Sequence, residues 1–282
     1  MKKKKRQLRK KPIFLILSIV LAICAIGCGG YWFYQQHLLN EQEKYYNELQ
    51  TITVPVEQIE IEVVEEQSEP ESVSEEEPDD LSIYNIPEDK QPDFTALQEM
   101  NEHIYAWIYI PGTEVDYPIV QHPTELDYYL NHNLDGSEGY PGGIYTQHIN
   151  SKEFDDFNTV IYGHNMRNGS MFKDLHRYEE DDFFEEHPYI YMYTEDGVLV
   201  YQVFAAYEFS DIHLLMGFDL TSEEIRRIYL NNVFTAEGSS NNYNLDVPVT
   251  TDDNILTLAT CIGNKPDKRY LVAAVLVADG RE

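Results

Sequence analysis

The feature that most limits what this chain can become is a run of 22 residues, from Ile13 to Tyr34, without one charged side chain. As a helix rising about 1.5 Å per residue, such a run spans the roughly 30 Å hydrocarbon core of a bilayer. Eight of the 20 lysines and arginines lie between Lys2 and Lys11, immediately before it. Cationic flanks stay on the cytoplasmic side. The sequence therefore predicts a cytoplasmic basic tail over residues 1–12, a transmembrane helix over 13–34, and everything after Gln35 facing outward. The expected localisation is the cell membrane, single-pass and N-in.

Two other readings of the segment stand beside this one. Ala25-Ile26-Gly27-Cys28 resembles a lipoprotein processing site, with Ala where a lipobox usually has Leu, and its small residues also suit signal cleavage. All three readings place the rest of the chain outside the membrane. Beyond the basic tail, 12 basic residues face 50 acidic ones, and every acidic residue comes after position 40. Such a surface repels phosphates, so no nucleic acid partner is expected.

Gln35 to about Ile52 has helical composition and is consistent with a few further turns of the same helix. From about Thr51 to Pro92 the chain is rich in Glu, Ser and Pro, as in Ser74-Glu75-Glu76-Glu77-Pro78. It holds too little apolar surface to offset its ordering entropy. Residues 35–92 are therefore expected to be an acidic extracellular stalk or linker, with pairing of Ile52 to Val64 as a strand the alternative. Residues 93–282 are expected to form one catalytic domain.

In that domain Phe94, Leu97, Met100 and Ile104 recur at helical spacing. Then come β-rich runs: Trp107 to Ile110, Tyr117 to Gln121, Gly143 to Tyr145, Thr159 to Gly163, Tyr189 to Tyr193, Val198 to Phe209, Ile255 to Cys261 and Arg269 to Val277. Asp196-Gly197 marks a hairpin turn. So many strands with turns between them favour a mainly β, barrel or sandwich architecture. One late helix is signalled by a capping box at Thr221-Ser222-Glu223-Glu224, with Ile225, Ile228, Tyr229 and Val233 as its apolar face.

Of three cysteines, Cys24 and Cys28 fall in the apolar run, which leaves Cys261 as the only thiol beyond it. A lone exported cysteine is a candidate reactive thiol, and equally a small buried hydrophobe. Its setting favours chemistry. Thr257-Leu258-Ala259-Thr260-Cys261 reads as a strand ending in the thiol, followed by a polar turn through Asn264, Pro266 and Asp267 and by Arg269 opening the next strand. Antiparallel pairing of the two puts Cys261 and Arg269 on one rim. His164, just past a strand and preceded by Gly163, is the best placed of nine histidines. A thiol needs help to ionise near neutral pH, which His164 and Arg269 would supply. No metal-ligand spacing is visible, no cofactor is expected, and no acidic third group stands out.

These residues resemble the sortase family. Thr257-Leu258-Ala259-Thr260-Cys261 resembles its TLxTC signature, and the strand-opening Arg269 and upstream Gly163-His164 complete the pattern. Trp107-Ile108-Tyr109-Ile110-Pro111-Gly112, Asp116-Tyr117-Pro118-Ile119-Val120-Gln121, Tyr129-Leu130-Asn131 and Tyr162-Gly163-His164-Asn165 look like class B sortases, over about residues 93 to 282. The resemblance implies a closed eight-stranded β-barrel with an N-terminal helix and a helix before the last catalytic strands.

It also implies a membrane-anchored cysteine transpeptidase of Gram-positive cells. Cys261 would attack the carbonyl of a Thr in a C-terminal sorting signal and hold the protein as a thioester until an amine resolves it. His164 matches the family acid/base and Arg269 the substrate-positioning arginine. Asn131, Ala259 and Thr260 match groove-lining, substrate-binding positions, with Ala259 standing where many members carry Ser. The implied partners are secreted proteins bearing sorting signals, a peptidoglycan precursor amine or a pilin lysine, and the plasma membrane through the N-terminal helix. A Cys-His surface protease and a non-enzymatic adhesin are the competing classes.

Overall fold

The computed structural model describes residues 11–53, 81–88 and 90–281. The chain divides into two units, residues 1–45 and 46–282. In the first lies most of helix α1, Lys11–Leu49. Its apolar side chains are exposed, Leu21, Ile23 and Ile26 among them. By length and composition it is, among the described residues, the one helix able to cross a membrane, with a mean hydropathy of 1.7.

The second unit opens with the last turn of α1, where Tyr46 and Leu49 are buried and the Tyr46 hydroxyl donates to the Gly142 carbonyl at 2.6 Å. Thr53 bridges to Pro92, and Tyr84 donates to the Val277 carbonyl. Residues 46–53, 81–88 and 90–92 thus belong to the globular unit, where the sequence suggested stalk. Their few apolar groups are too sparse for a core of their own, and Tyr46 and Leu49 are buried against the ready-made one while Ile83 stays exposed. The Glu-rich remainder of the stretch, with most of the possible strand at Ile52 to Val64, lies outside the described residues.

Helix α2 (Phe94–Met100) is capped by Asp93, whose side chain accepts from the Ala96 amide. It stops earlier than its spacing predicts, because Ile104 already begins β1. The strands are β1 (Ile104–Tyr109), β2 (Asp116–Val120), β3 (Ile144–Thr146), β4 (Asn158–Tyr162), β5 (Tyr189–Thr194), β6 (Gly197–Ser210), β7 (Asn242–Tyr243), β8 (Ile255–Ile262) and β9 (Lys265–Asp279). Short helices α3 (Asp181–Glu186) and α4 (Leu214–Gly217) and the longer α5 (Glu223–Phe234) lie between them.

Hydrogen bonding runs β5-β1-β2-β3-β4-β8-β9-β6, and β6 pairs back with β5. Eight strands therefore form a closed barrel, which removes the free edges an open sheet would expose. The two-residue β7 adds to β6 outside the ring. Two of the pairings are parallel, β2 with β3 and β4 with β8.

Strand β8 is buried from Ile255 to Thr260 because both its faces are covered. Alternation sends Leu256 and Leu258 to one face and Ile255, Thr257 and Ala259 to the other. The second face packs with Val160 of β4, Leu271, Ala273 and Val275 of β9, and Tyr229, Leu230 and Val233 of α5. A buried polar knot fastens α5 there. Thr257 Oγ1 donates to Asn158 Oδ1 at 2.7 Å, and Asn158 Nδ2 donates to the Tyr229 hydroxyl at 3.0 Å.

Helix α5 forms where its capping signal lies, with two corrections. Ser222, not Thr221, is the N-cap and makes no side-chain cap bond, while Thr221 Oγ1 donates to Asp219 Oδ1. The buried face is Tyr229, Leu230 and Val233, and Ile228 is 45% exposed. Barrel contact, not hydrophobicity alone, chose the face. Tyr229→Phe, which strands the buried Asn158 amide, is expected to lower unfolding free energy by about 1–2 kcal/mol in a urea titration. Ile228→Ala should cost under about 0.5 kcal/mol in the same measurement.

Candidate active site

At one end of the face that carries α5, the strands extend past the helix and leave an open groove. Its floor is one transverse row across four strands: Tyr145 opposes Tyr162, Tyr162 opposes Ala259, and Ala259 opposes Leu271. Two residues further along β8, on the same face by alternation, is Cys261, directly opposite Arg269 of β9. His164 follows Val160 and Tyr162 at the same spacing, just past the end of the neighbouring β4. All three line one cavity of about 360 Å³, together with Leu130, Gln147, Thr260 and the segment Ser210–Leu214.

Cys261 is exposed, and His164 and Arg269 are half-buried. Strand β9 begins at Lys265, earlier than the sequence suggested. A register shift follows Cys261, so Ile262 opposes Lys265 while Cys261 opposes Arg269. The extra residues Pro266 to Lys268 bulge outward, and Arg269 Nη1 donates to the Pro266 and Lys268 carbonyls at 3.1 and 2.9 Å. The bulge carbonyls brace the guanidinium, which retains further N–H donors.

The imidazole of His164 is oriented by a backbone group. Its Nε2 lies 2.8 Å from the Leu130 carbonyl oxygen. A carbonyl only accepts, so Nε2 carries a proton and Nδ1 is left for exchange. Gly163 makes the close approach possible: a Cβ there would sit 2.5 Å from Ile144 Cδ1 and 2.7 Å from the Phe172 ring. Gly142, at φ +70°, likewise packs against the Tyr129 and Leu130 carbonyls where any side chain would collide. The exposed Tyr140 ring lies 5.0 Å from the His164 ring.

Thr260 and Ala259 are both buried at the groove. Thr260 Oγ1 donates to the Gly163 carbonyl at 2.8 Å, tying β8 to the end of β4. Asn131 lies elsewhere. It ends a 3-10 turn, Tyr128–Leu130, and borders a separate depression with Thr124, Glu125 and His132. Consecutive residues of such a turn point about 120° apart. Hence Leu130, not Asn131, borders the groove.

Several groove residues carried no signal in the sequence. Asp127 Oδ1 accepts from the Tyr145 hydroxyl and from Gln147 Nε2. Burial, with the Asp127 charge adding to it, raises the Tyr145 and Tyr162 phenols well above the usual range, so both stay protonated. Gln147 Oε1, the Tyr162 hydroxyl and His213 Nε2 are buried at this cavity without a hydrogen-bond partner among the described residues. Asn165 and His176 reach the carbonyl of Cys261 from behind.

With the geometry described, relatives can be weighed. A family model described as the sortase domain matches residues 108–277. The chain belongs to the sortase family. Sortase B of Listeria monocytogenes is 36% identical over 184 residues, 64% of this chain and 72% of that one. Sortase B of Staphylococcus aureus is 31% identical over 189 residues, 66% and 75% of the two chains. Among solved structures, Bacillus anthracis sortase B in complex with AAEK1 superposes with a TM-score of 0.64 at 29% identity, covering 86% of this chain and 98% of the other. A Staphylococcus aureus sortase B–substrate complex gives 0.58 at 29% identity, covering 66% and 84%.

The relatives are class B sortases, and the closed barrel with its N-terminal helix and α5 is their fold. Sortase-type transpeptidation is therefore the activity of this chain. In this sortase the Thr260 bridge joins the thiol-bearing strand to the histidine-bearing one. Thr260→Val, which keeps the shape and deletes the bond, is expected to cost about 1 kcal/mol in a denaturant titration. It should also slow turnover several-fold, about 3- to 10-fold, by loosening that alignment.

Proposed function

We propose that Cys261 is the nucleophile, His164 the acid/base and Arg269 the oxyanion-side donor of a transpeptidase that recognises C-terminal sorting signals. The observation that carries this reading is the direct opposition of Cys261 and Arg269 in register, with His164 lining the same cavity. A peptide laid in the groove meets all three at once.

In the first step the Cys261 sulfur attacks the carbonyl carbon of a Thr and its proton passes to His164, whose Nδ1 is the nitrogen free to take it. Negative charge collects on the carbonyl oxygen, and the guanidinium of Arg269 offers N–H donors to it. Collapse breaks the C–N bond, and the leaving amine takes the proton from His164. In the second step an amine attacks the Cys261 thioester, loses a proton to His164, and expels the thiolate. A new amide replaces the old one. The chemistry is that of a cysteine peptidase whose intermediate is resolved by an amine.

The partnerless Gln147 Oε1, Tyr162 hydroxyl and His213 Nε2 support peptide binding in this groove. A bound chain would supply partners that the protein withholds, and unmet buried polar groups are costly. Support also comes from the Staphylococcus aureus sortase B, solved with a substrate. The α1 helix supports an anchor in the plasma membrane of a Gram-positive cell. Lysines and arginines before it favour an N-in orientation, residues 1–12 inside and the catalytic domain outside. On that side the acceptor is an amine of the peptidoglycan precursor, with a pilin lysine the other candidate.

Full-length protein incubated with a library of sorting peptides is expected to form a covalent adduct at Cys261, read by mass spectrometry, and Cys261→Ala should form none. Arg269→Lys should lower kcat/KM on the order of tenfold or more, because a point charge replaces a planar fork. With excess amine the amide product should outweigh the hydrolysed peptide. Wild-type turnover by Cys261→Ala would overturn the assignment, and products that ignored added amine would make the enzyme a hydrolase.

A further inference from the structure

Strand β4 leaves the barrel just where it is needed. Its parallel ladder with β8 continues to the Gly163 amide, which donates to the Ala259 carbonyl at 3.2 Å. The next rung in a parallel ladder would be the Asn165 amide donating to the Cys261 carbonyl. That rung is replaced. The chain turns off at His164, whose carbonyl accepts instead from the Phe172 amide, and Asn165 bridges to Met171. Swinging His164 towards the groove thus removes a backbone donor from the carbonyl of Cys261, the nucleophile itself.

Two side chains stand in for it. Asn165 Nδ2 donates to the Cys261 carbonyl oxygen at 2.9 Å, and His176 Nε2 lies 3.1 Å from the same oxygen. The two nitrogens are 2.9 Å apart. Since the carbonyl only accepts, the amide nitrogen of Asn165 must face it, so Cys261 keeps a donor in either proton state of His176. His176 is anchored on its far side, with Nδ1 2.6 Å from Glu179 Oε1. Its ring also stacks on Tyr270, 5.0 Å between centroids and 24° between planes.

The His176 imidazole therefore touches the chain neighbour of each reacting residue or the residue itself: Asn165 after His164, Cys261, and Tyr270 after Arg269. Neighbours on a strand point to opposite faces. His176 accordingly works from behind the groove and is absent from the cavity lining.

We propose that Asn165, His176 and Glu179 form a positioning hub that replaces the missing ladder rung and holds the peptide unit of Cys261 in line with His164 and Arg269. This rests on the transpeptidase reading of the groove. The hub touches no substrate, so it acts on the rate of acylation and thiol activation, not on peptide affinity. His176→Phe retains the stacking ring and deletes both ring nitrogens with the contacts they make to Cys261, Asn165 and Glu179. Asn165→Leu retains the volume and deletes the donor. His176→Gln returns a donor to the place of Nε2.

The test is the rate at which iodoacetamide alkylates Cys261 at neutral pH, resolved from Cys24 and Cys28 by peptide mass spectrometry. Steady-state kinetics on a fluorogenic peptide, its signal taken from the adduct library, run beside it. His176→Phe and Asn165→Leu should alkylate about tenfold more slowly and lose about tenfold in kcat, with KM within about twofold of wild type. His176→Gln should recover to within about threefold. Wild-type alkylation rates in both deleting variants overturn the hub, and so does a His176→Gln as slow as His176→Phe. Should His176→Phe not fold, Asn165→Leu, at a half-buried position, decides alone. Alkylation needs no sorting peptide, so failure of the hub is distinguishable from failure of the transpeptidase reading, which Cys261→Ala tests.

Discussion

In an antiparallel ladder two directly opposed residues place their side chains on one face about 5 Å apart, and the β8–β9 ladder opposes Cys261 to Arg269. The parallel β4–β8 ladder on the other side sets Tyr162 against Ala259, so that His164 emerges beside the thiol. These two registers are the constraint on which the site depends. A slip of one residue in either would turn a reacting group into the barrel wall. The registers are themselves held by burial, because Leu256, Leu258, Val272 and Ala274 would have to exchange faces with Thr257, Ala259, Ala273 and Val275.

One strand face therefore does two jobs along its length. Under α5 it is core, closed by Tyr229, Leu230 and Val233. Beyond α5 it is a reactive surface, and Cys261 is the first residue of β8 to be exposed. The transition takes only two residues, from Ala259 to Cys261. That proximity lets a rigid barrel fix a nucleophile while leaving its sulfur open to a peptide, a combination a mobile loop would not provide.

The groove walls come from connections, not strands. Leu130 sits on the link between β2 and β3, and its carbonyl orients His164. Tyr129 and Gly142 hold that link in place, with the Tyr129 hydroxyl 2.7 Å from His103 Nδ1 and Gly142 packed on two carbonyls. The opposite wall, Ser210 to Leu214, leads from β6 into α4. The polar groups between the walls have fewer partners than donors and acceptors, which suits a surface that a peptide completes.

What the sequence determined by itself was periodic or local. Apolar runs gave the strands within a few residues of their ends, with barrel or sandwich both open until the family resemblance implied a closed barrel, and a 22-residue uncharged run gave a helix long enough to cross a membrane. The short span between Cys261 and Arg269 forced a hairpin and so put them on one rim. Local signals misled where a partner chose the outcome. The α5 face turned towards Tyr229, Leu230 and Val233, Ile104 joined a strand, and residues 46–53, 81–88 and 90–92 joined the globular unit. Only the tertiary structure decided which carbonyl orients His164 and which ring, His176, twelve residues further along in the 3-10 helix Phe172–Glu179, stands behind Cys261. Those contacts join segments distant in sequence, and no periodicity within one segment encodes the side on which another will arrive.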